Sequence, residues 1–393
     1  MTMTILISPY ILLLVIAVFA FIIPILSGRI GVPAVVGEIV CGILLGLLGF
    51  SIEAEGMLVI DFLASFGLIF LMFLVGLELD FSKVGVIGAK TFIFGSLIFI
   101  ITLGISIFLT YKLGYGFYLA IILSSSAGGL ILPTLRELGL SKSDFGQTIL
   151  ITAFVAEFAT VLLVTVYTIH LEKEITWGMF LLVLVFVLFF VLYYLGKLAI
   201  WHYPERLSAW FKSDQPSEIG VRAAFALLLV FVAISEVADV EAILGAFLAG
   251  VMFSILFRGG TVLEQKLFGI GYGFLIPIFF ISVGMQFDLG ALAGSGIYLV
   301  PMLLVIAFVV KLAPSLLFVV RYSVKDSLSA GVLLSSRLSL IIAMAAVGLE
   351  LGLIGTTMKS AIILLAIITC ICCPTIFRKM QGEQIFLETT KFP

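Results

Sequence analysis

The chain has 393 residues, 63% of them hydrophobic and 11% charged, with a formal net charge of −2. A water-soluble domain needs about a quarter of its residues charged to cover its surface, so this composition excludes one. The near-neutral balance offers no footing for a nucleic acid, and an all-α polytopic membrane protein is the expected class.

Apolar runs bounded by polar or Gly/Pro-rich turns recur along the chain. They predict thirteen spans near 9–27, 32–50, 58–79, 87–111, 116–137, 146–170, 177–200, 219–238, 241–257, 266–287, 297–321, 326–350 and 357–378. The first, PYILLLVIAVFAFIIPILSG, has no basic residue ahead of it and no small-residue cleavage pattern behind it. It therefore reads as a span and not as a secretory signal. The longest polar stretch, HYPERLSAWFKSDQPSEIG, reads as a linker. Most of the 21 Lys and Arg, among them Arg29, Lys142, Lys212, Arg258, Arg321 and Lys379, then fall on one side of the membrane. By the positive-inside rule that side is cytoplasmic, with the N-terminus outside and the C-terminus inside, as in the inner or plasma membrane of a prokaryotic cell.

Two pairs of segments repeat. VPAVVGEIVCG in span 2 matches VEAILGAFLAG in span 9, setting Gly37 on Gly245 and Gly42 on Gly250. LVGLELDF in span 3 matches SVGMQFDL in span 10, setting Gly76 on Gly284 and Asp80 on Asp288, again 208 residues apart. A shift of seven helices inverts the second copy in the membrane, and inverted repeats with a midplane site are the pattern of secondary transporters. The expected organisation is a first six-helix repeat (1–175), a linker helix and inner loop (176–215), a second repeat (216–380) and a short cytoplasmic tail (381–393).

Equivalent places in the two repeats carry helix-breaking sequence. Span 5 contains LSSSAGGLILP, with Ser124, Ser125, Ser126, Gly128, Gly129 and Pro133; span 12 contains LLSSRLSLIIA, with Ser335, Ser336, Arg337 and Ser339. Gly and Pro permit unwound backbone, and hydroxyls can satisfy the freed groups or face an ion. Two crossed broken helices would present opposed partial charges to the bilayer centre. Close packing of small residues is the plainer alternative for either segment alone.

Ionisable residues inside spans are functional candidates, because each is costly in hydrocarbon. Glu157 sits midway along span 6, in AFVAEFATVLLV, and Lys311 sits deep in span 11. They can pair across the repeats, as a permanent lock or as part of a transport cycle; Lys311 could instead reach one membrane face, and Arg337 could compete for Glu157 or simply neutralise helix ends. His170 and His202 lie at segment ends without ligand spacing, so no resident metal or other cofactor is expected. Cys41, Cys370, Cys372 and Cys373 all lie in apolar segments, where small buried side chains are expected and a disulfide framework is not.

Beside these readings stands a resemblance. GRIGVPAVVGEIVCGILLG, GLIFLMFLVGLELDF, LPTLRELGL, GAFLAGVMFS and PIFFISVGMQFDL resemble signatures of the monovalent cation/proton antiporters, particularly the Kef- and NapA-like branch, from about residue 10 to 378. The resemblance implies a thirteen-helix fold with a dimerisation domain and a core domain that moves as an elevator. It implies exchange of Na+ or K+ for H+ at one carboxylate, in a homodimer. With the sequence stopping soon after span 13, the nucleotide-binding regulatory domain of Kef-type systems is not expected here. The resemblance places Glu157 on the ion-binding acid, Ser126 on the hydroxyl of the first broken helix and Lys311 on the basic residue of the core. Two positions depart: Glu157 replaces an Asp, and Ala156 stands where a polar ligand is usual. A membrane sensor or channel on the same fold, or a transporter of an anion or organic solute bound by Lys311 and Arg337, are the alternatives.

Overall fold

Backbone in hydrocarbon has no water to bond, so apolar runs of this length must satisfy their amides locally, as helices. The computed structural model describes residues 9–30, 33–47, 54–78, 89–172, 175–202, 218–238, 242–256, 261–287, 290 and 298–389. Each expected span coincides with a helix or a pair of helices, and no strand occurs among the described residues. The helices are α1 (Pro9–Ile30), α2 (Ala34–Leu47), α3 (Ala54–Glu78), α4 (Ala89–Lys112), α5 (Phe117–Ser124), α6 (Gly128–Glu137), α7 (Asp144–Glu172) and α8 (Ile175–His202). They continue with α9 (Ile219–Val237), α10 (Ala242–Leu256), α11 (Thr261–Ile270) and α12 (Ile276–Met285), the last two joined by a π turn at Gly271–Leu275. The chain closes with α13 (Leu299–Ser315), α14 (Val324–Leu334), α15 (Ser339–Glu350) and α16 (Thr356–Thr389). Among the described residues seven helices are long and apolar enough to cross a membrane, and α14 with α15, bent by 43°, makes an eighth. The chain is an integral membrane protein.

Local sequence sets the ends. Gly114 and Gly352 adopt left-handed φ of 78° and 68° just past α4 and α15. There the Tyr115 and Leu353 amides bond back to Thr110 O and Gly348 O, closing each helix with a wrapped C-terminal turn. At the start of α14, Ser323 accepts from the Asp326 amide at 3.1 Å, an N-terminal cap.

The chain forms two compact units, each drawn from both halves of the sequence: Met1–Ser82 with Thr165–Phe287, and Lys83–Val164 with Asp288–Pro393. In the first unit, helices meet backbone to backbone at glycines. A Cβ on Gly42 would collide with Ile281 O and stand 2.8 Å from Gly284 Cα; one on Gly284 would collide with Ile39 O and stand 2.8 Å from Gly42 Cα. The same contact recurs 208 residues on: Gly250 abuts Phe73 O and Gly76 abuts Phe247 O, with Leu77 N and Val251 N at 2.8 and 2.9 Å. Gly37 against Ile23 and Ser27 likewise returns as Gly245 against Phe231 and Ser235. These glycines, which could have served an interface between copies, pack inside one protomer. Asp80 and Asp288, the other aligned pair, lie outside the described residues.

The second unit has its own core. Ile131, Leu135, Ile149, Ala153, Phe318, Leu333 and Phe377 cluster between α6, α7, α14, α16 and the turn after α13. In α16, Cys370 and Cys373 share the buried face, whereas Cys372 is rotated off it and exposed. With Cys41 also buried, three of the four cysteines take the expected setting and Cys372 departs from it.

Candidate functional site

The two breaks meet inside the second unit. Between α5 and α6, residues Ser125–Ala127 leave the helix; between α14 and α15, residues Ser335–Leu338 do. The Ala127 amide donates to Ser336 O at 3.2 Å, and Ser126 Oγ donates to Leu334 O at 3.1 Å, joining two residues 208 apart. The breaks thus share hydrogen bonds that each would otherwise lack in hydrocarbon.

The exposed carbonyls at the end of α5 are answered by two buried cations. Lys311 Nζ donates to Ser124 O at 2.6 Å and to Ser126 Oγ at 2.7 Å. Arg337 Nη2 donates to Leu123 O at 2.6 Å and Ala307 O at 3.4 Å, and its Nε to Ser125 O at 3.3 Å. A helix C-terminus carries partial negative charge, so this is where cations are stabilised. Arg337 Nη1 is buried without a protein partner among the described residues.

The opposite polarity falls on Glu157. The N-terminal end of α6, with partial positive charge and free amides, begins at Gly128, and the carboxylate lies directly over that residue. A Cβ on Gly128 would stand 2.9 Å from Glu157 Oε2 and 2.7 Å from the Phe154 ring. Only glycine leaves room there. Glu157 is 2% exposed and Ala156, beside it, is also 2% exposed. One crossing therefore sorts its charges: cations at the carbonyl end, the acid at the amide end.

Of the expected site residues, Glu157, Ser126, Lys311, Arg337 and Gly128 come together here. Ser125 contributes its carbonyl, while its hydroxyl turns back to Ile122 O at 2.8 Å. Ser124, Ser335 and Ser336 likewise bond Ile121 O, Gly331 O and Leu333 O, closing their own helix ends. Gly129 and Pro133 lie inside α6, so the unwound stretch is shorter than the sequence pattern suggests. The two Lys311 hydrogen bonds given above both run to the first break. Among the buried polar residues not singled out from sequence, two stand out. Glu38 of α2, 4% exposed, belongs to the first unit; Thr160, fully buried, lies one turn beyond Glu157. Their signal was there, in a carboxylate within an apolar run and a hydroxyl three residues after another.

Comparison with known proteins agrees with this architecture. The chain is 38% identical over 397 residues to YjbQ of Bacillus subtilis (strain 168), a protein carrying a provisional Na(+)/H(+) antiporter name. The match covers 95% of the chain and 63% of that protein, so the chain spans less than two thirds of its length. It is 27% identical over 368 residues to the Na(+)/H(+)-K(+) antiporter GerN of Bacillus cereus, covering 91% and 92% of the two. The solved structure of the sodium proton antiporter MjNhaP1 from Methanocaldococcus jannaschii shares the fold, with a TM-score of 0.69 at 15% identity over 96% and 98% of the chains. The family model for the transmembrane sodium/hydrogen exchanger matches residues 16–380, and the chain belongs to that family.

Proposed function

We propose that this chain is a secondary active transporter that exchanges a monovalent cation, Na+ or K+, for H+ at the single carboxylate of Glu157. The observation that carries the reading is the position of Glu157, buried over Gly128 at the amide end of α6 while the carbonyl end of the break is held by Lys311 and Arg337. Protonated, the acid is neutral; deprotonated, it can hold a dehydrated cation with Ser126 and backbone oxygens at the breaks. Either loaded form presents a compensated site, whereas a bare carboxylate is costly to carry through a closed barrier. That cost couples the two fluxes. The unit containing the breaks is the moving element of an elevator, and the two spans that share the 208-residue repeat are inverted copies.

Transport of an anion would need Lys311 and Arg337 to release the carbonyls that they hold, which weighs against it. The distribution of Lys and Arg supports a prokaryotic inner membrane with the C-terminus in the cytoplasm. Family resemblance supports a homodimer, through faces other than the glycine contacts, and mass measurement in lipid checks it. The decisive test is reconstitution in vesicles under a proton gradient, with each cation in turn. Glu157→Gln keeps size and hydrogen bonding but cannot change charge, so proton-coupled flux should vanish while the protein still folds. Near-parental exchange by that variant would remove Glu157 from the mechanism.

A further inference from the structure

We infer that Thr160 is a ligand of the transported cation and sets its selectivity, supplying an oxygen that its neighbour Ala156 cannot. The inference rests on the reading of Glu157 as the exchange site and names a residue that this reading does not require.

A threonine in a helix normally silences its own hydroxyl by bonding a carbonyl one turn back. In α7 this is what Thr148, Thr152 and Thr168 do, donating to Asp144 O, Thr148 O and Thr165 O at 2.8, 2.8 and 3.0 Å. Elsewhere Thr102, Thr110, Thr134, Thr369 and Thr375 do the same. Thr160 does not. Its Oγ1 is fully buried and has no hydrogen-bond partner among the described residues, although Ala156 O lies one turn back. A buried polar atom left unmatched calls for an explanation, and here the surroundings supply one.

Thr160 shares the buried stripe of α7 with Ala153, Ala156, Glu157 and Val164. Residues three and four apart on a helix are neighbours, and each side chain leans over the turn that precedes it. The hydroxyl therefore overhangs Ala156 and Glu157, not the far end of the helix. A dehydrated monovalent cation needs several oxygen dipoles. Ser126 already accepts from Lys311 and donates to Leu334 O, and Ala156 offers nothing. Thr160 adds an oxygen with both lone pairs uncommitted, one turn from the carboxylate. A proton requires no such shell, so the hydroxyl should matter to the cation half of the cycle and little to the proton half.

The test compares the parent with Thr160→Val, which keeps shape and removes the oxygen, and Thr160→Ser, which keeps the oxygen, in vesicles with Na+, K+ and Li+. We expect Thr160→Val to raise the apparent KM for the preferred cation about tenfold, to change the ratios between cations and to leave the maximal rate and the pH midpoint near parental. Thr160→Ser should restore the KM. Parental KM and cation ratios in a folded Thr160→Val would overturn the inference, as would an equal loss of maximal rate in both variants with KM unchanged. If Thr160→Val fails to fold, Thr160→Ser and Thr160→Cys decide it. Parental cation ratios in both would overturn the inference, and a KM raised only in the cysteine variant would support it. The parent is measured first: absence of any cation-driven proton flux defeats the antiport reading itself, separately from the choice of Thr160.

Discussion

Glu157, Lys311 and Arg337 are each anomalous in an apolar run, and that anomaly made them visible before any fold was known. That broken-helix ends call for a buried cation, and that Arg337 could neutralise one, was legible; which carbonyls Lys311 and Arg337 take was not, because every residue possesses one. Those of Leu123, Ser124 and Ser125 lie at the end of α5, and that of Ala307 lies within α13. Thr160 escaped notice because a helical threonine usually satisfies itself. A further residue-scale consequence lies outside the membrane spans, at Tyr322. Its hydroxyl meets Asp144 and Thr148, and burial, reinforced by the bond to Asp144, pushes the phenol up to about 12. An unfolded phenol titrates near pH 10, so the folded state holds this proton more tightly. The stabilisation is full below about pH 10 and is lost as pH rises through about 12. Tyr322→Phe should lower thermal stability in detergent at neutral pH by about 1 kcal/mol and flatten the fall between those two values. A parental alkaline slope in the variant would assign that slope to other groups.

Among the elements, the glycines of the first unit are the most exacting. Gly42 with Gly284, and Gly250 with Gly76, bring helices so close that a methyl group would strike a backbone atom, which cannot swing aside. Alanine at any of the four should destabilise the protein by roughly 2 kcal/mol or more, the usual cost of overpacking where nothing can yield. Gly104 in α4 and Gly269 in α11 have open space where a Cβ would go, so alanine there should be neutral or mildly stabilising. Melting temperatures in micelles separate the two groups, and equal behaviour would disprove the distinction. The repeat was legible in sequence because these contacts leave glycine no substitute at either copy. Their destination was not, since a glycine pair suits an interface between subunits as well as one within a chain. The length of each break was equally hidden: Gly128, Gly129 and Pro133 favour unwinding, yet α6 has already begun at Gly128. The π turn at Gly271–Leu275 left no periodicity to read, because its counterpart within α3 is regular helix.

For the molecule as a whole, composition alone fixed the class, whereas the grouping of helices into two units, each drawn from both halves of the sequence, depends on contacts between distant segments that no local pattern records. If Glu157 is the single exchanging acid, as proposed, one proton should exchange for one monovalent cation. Current recording on supported membranes should then show no sustained current during exchange. A sustained, cation-dependent current abolished by Lys311→Gln would make the lysine a second proton carrier and overturn that stoichiometry. The fastening of Lys311 and Arg337 to the carbonyl end of α5 has a consequence for voltage. In the proposed elevator, where the unit holding the breaks moves, both positive charges would travel with it in each direction, whichever load it carries. They cancel over a full cycle and leave the final gradient indifferent to the membrane potential. Within each half-cycle they still cross part of the field, where a full crossing is worth about 2.3 kcal/mol per charge per 100 mV. The potential therefore sets how fast the carrier turns over without setting where it stops, and a brief displacement current should accompany each reorientation.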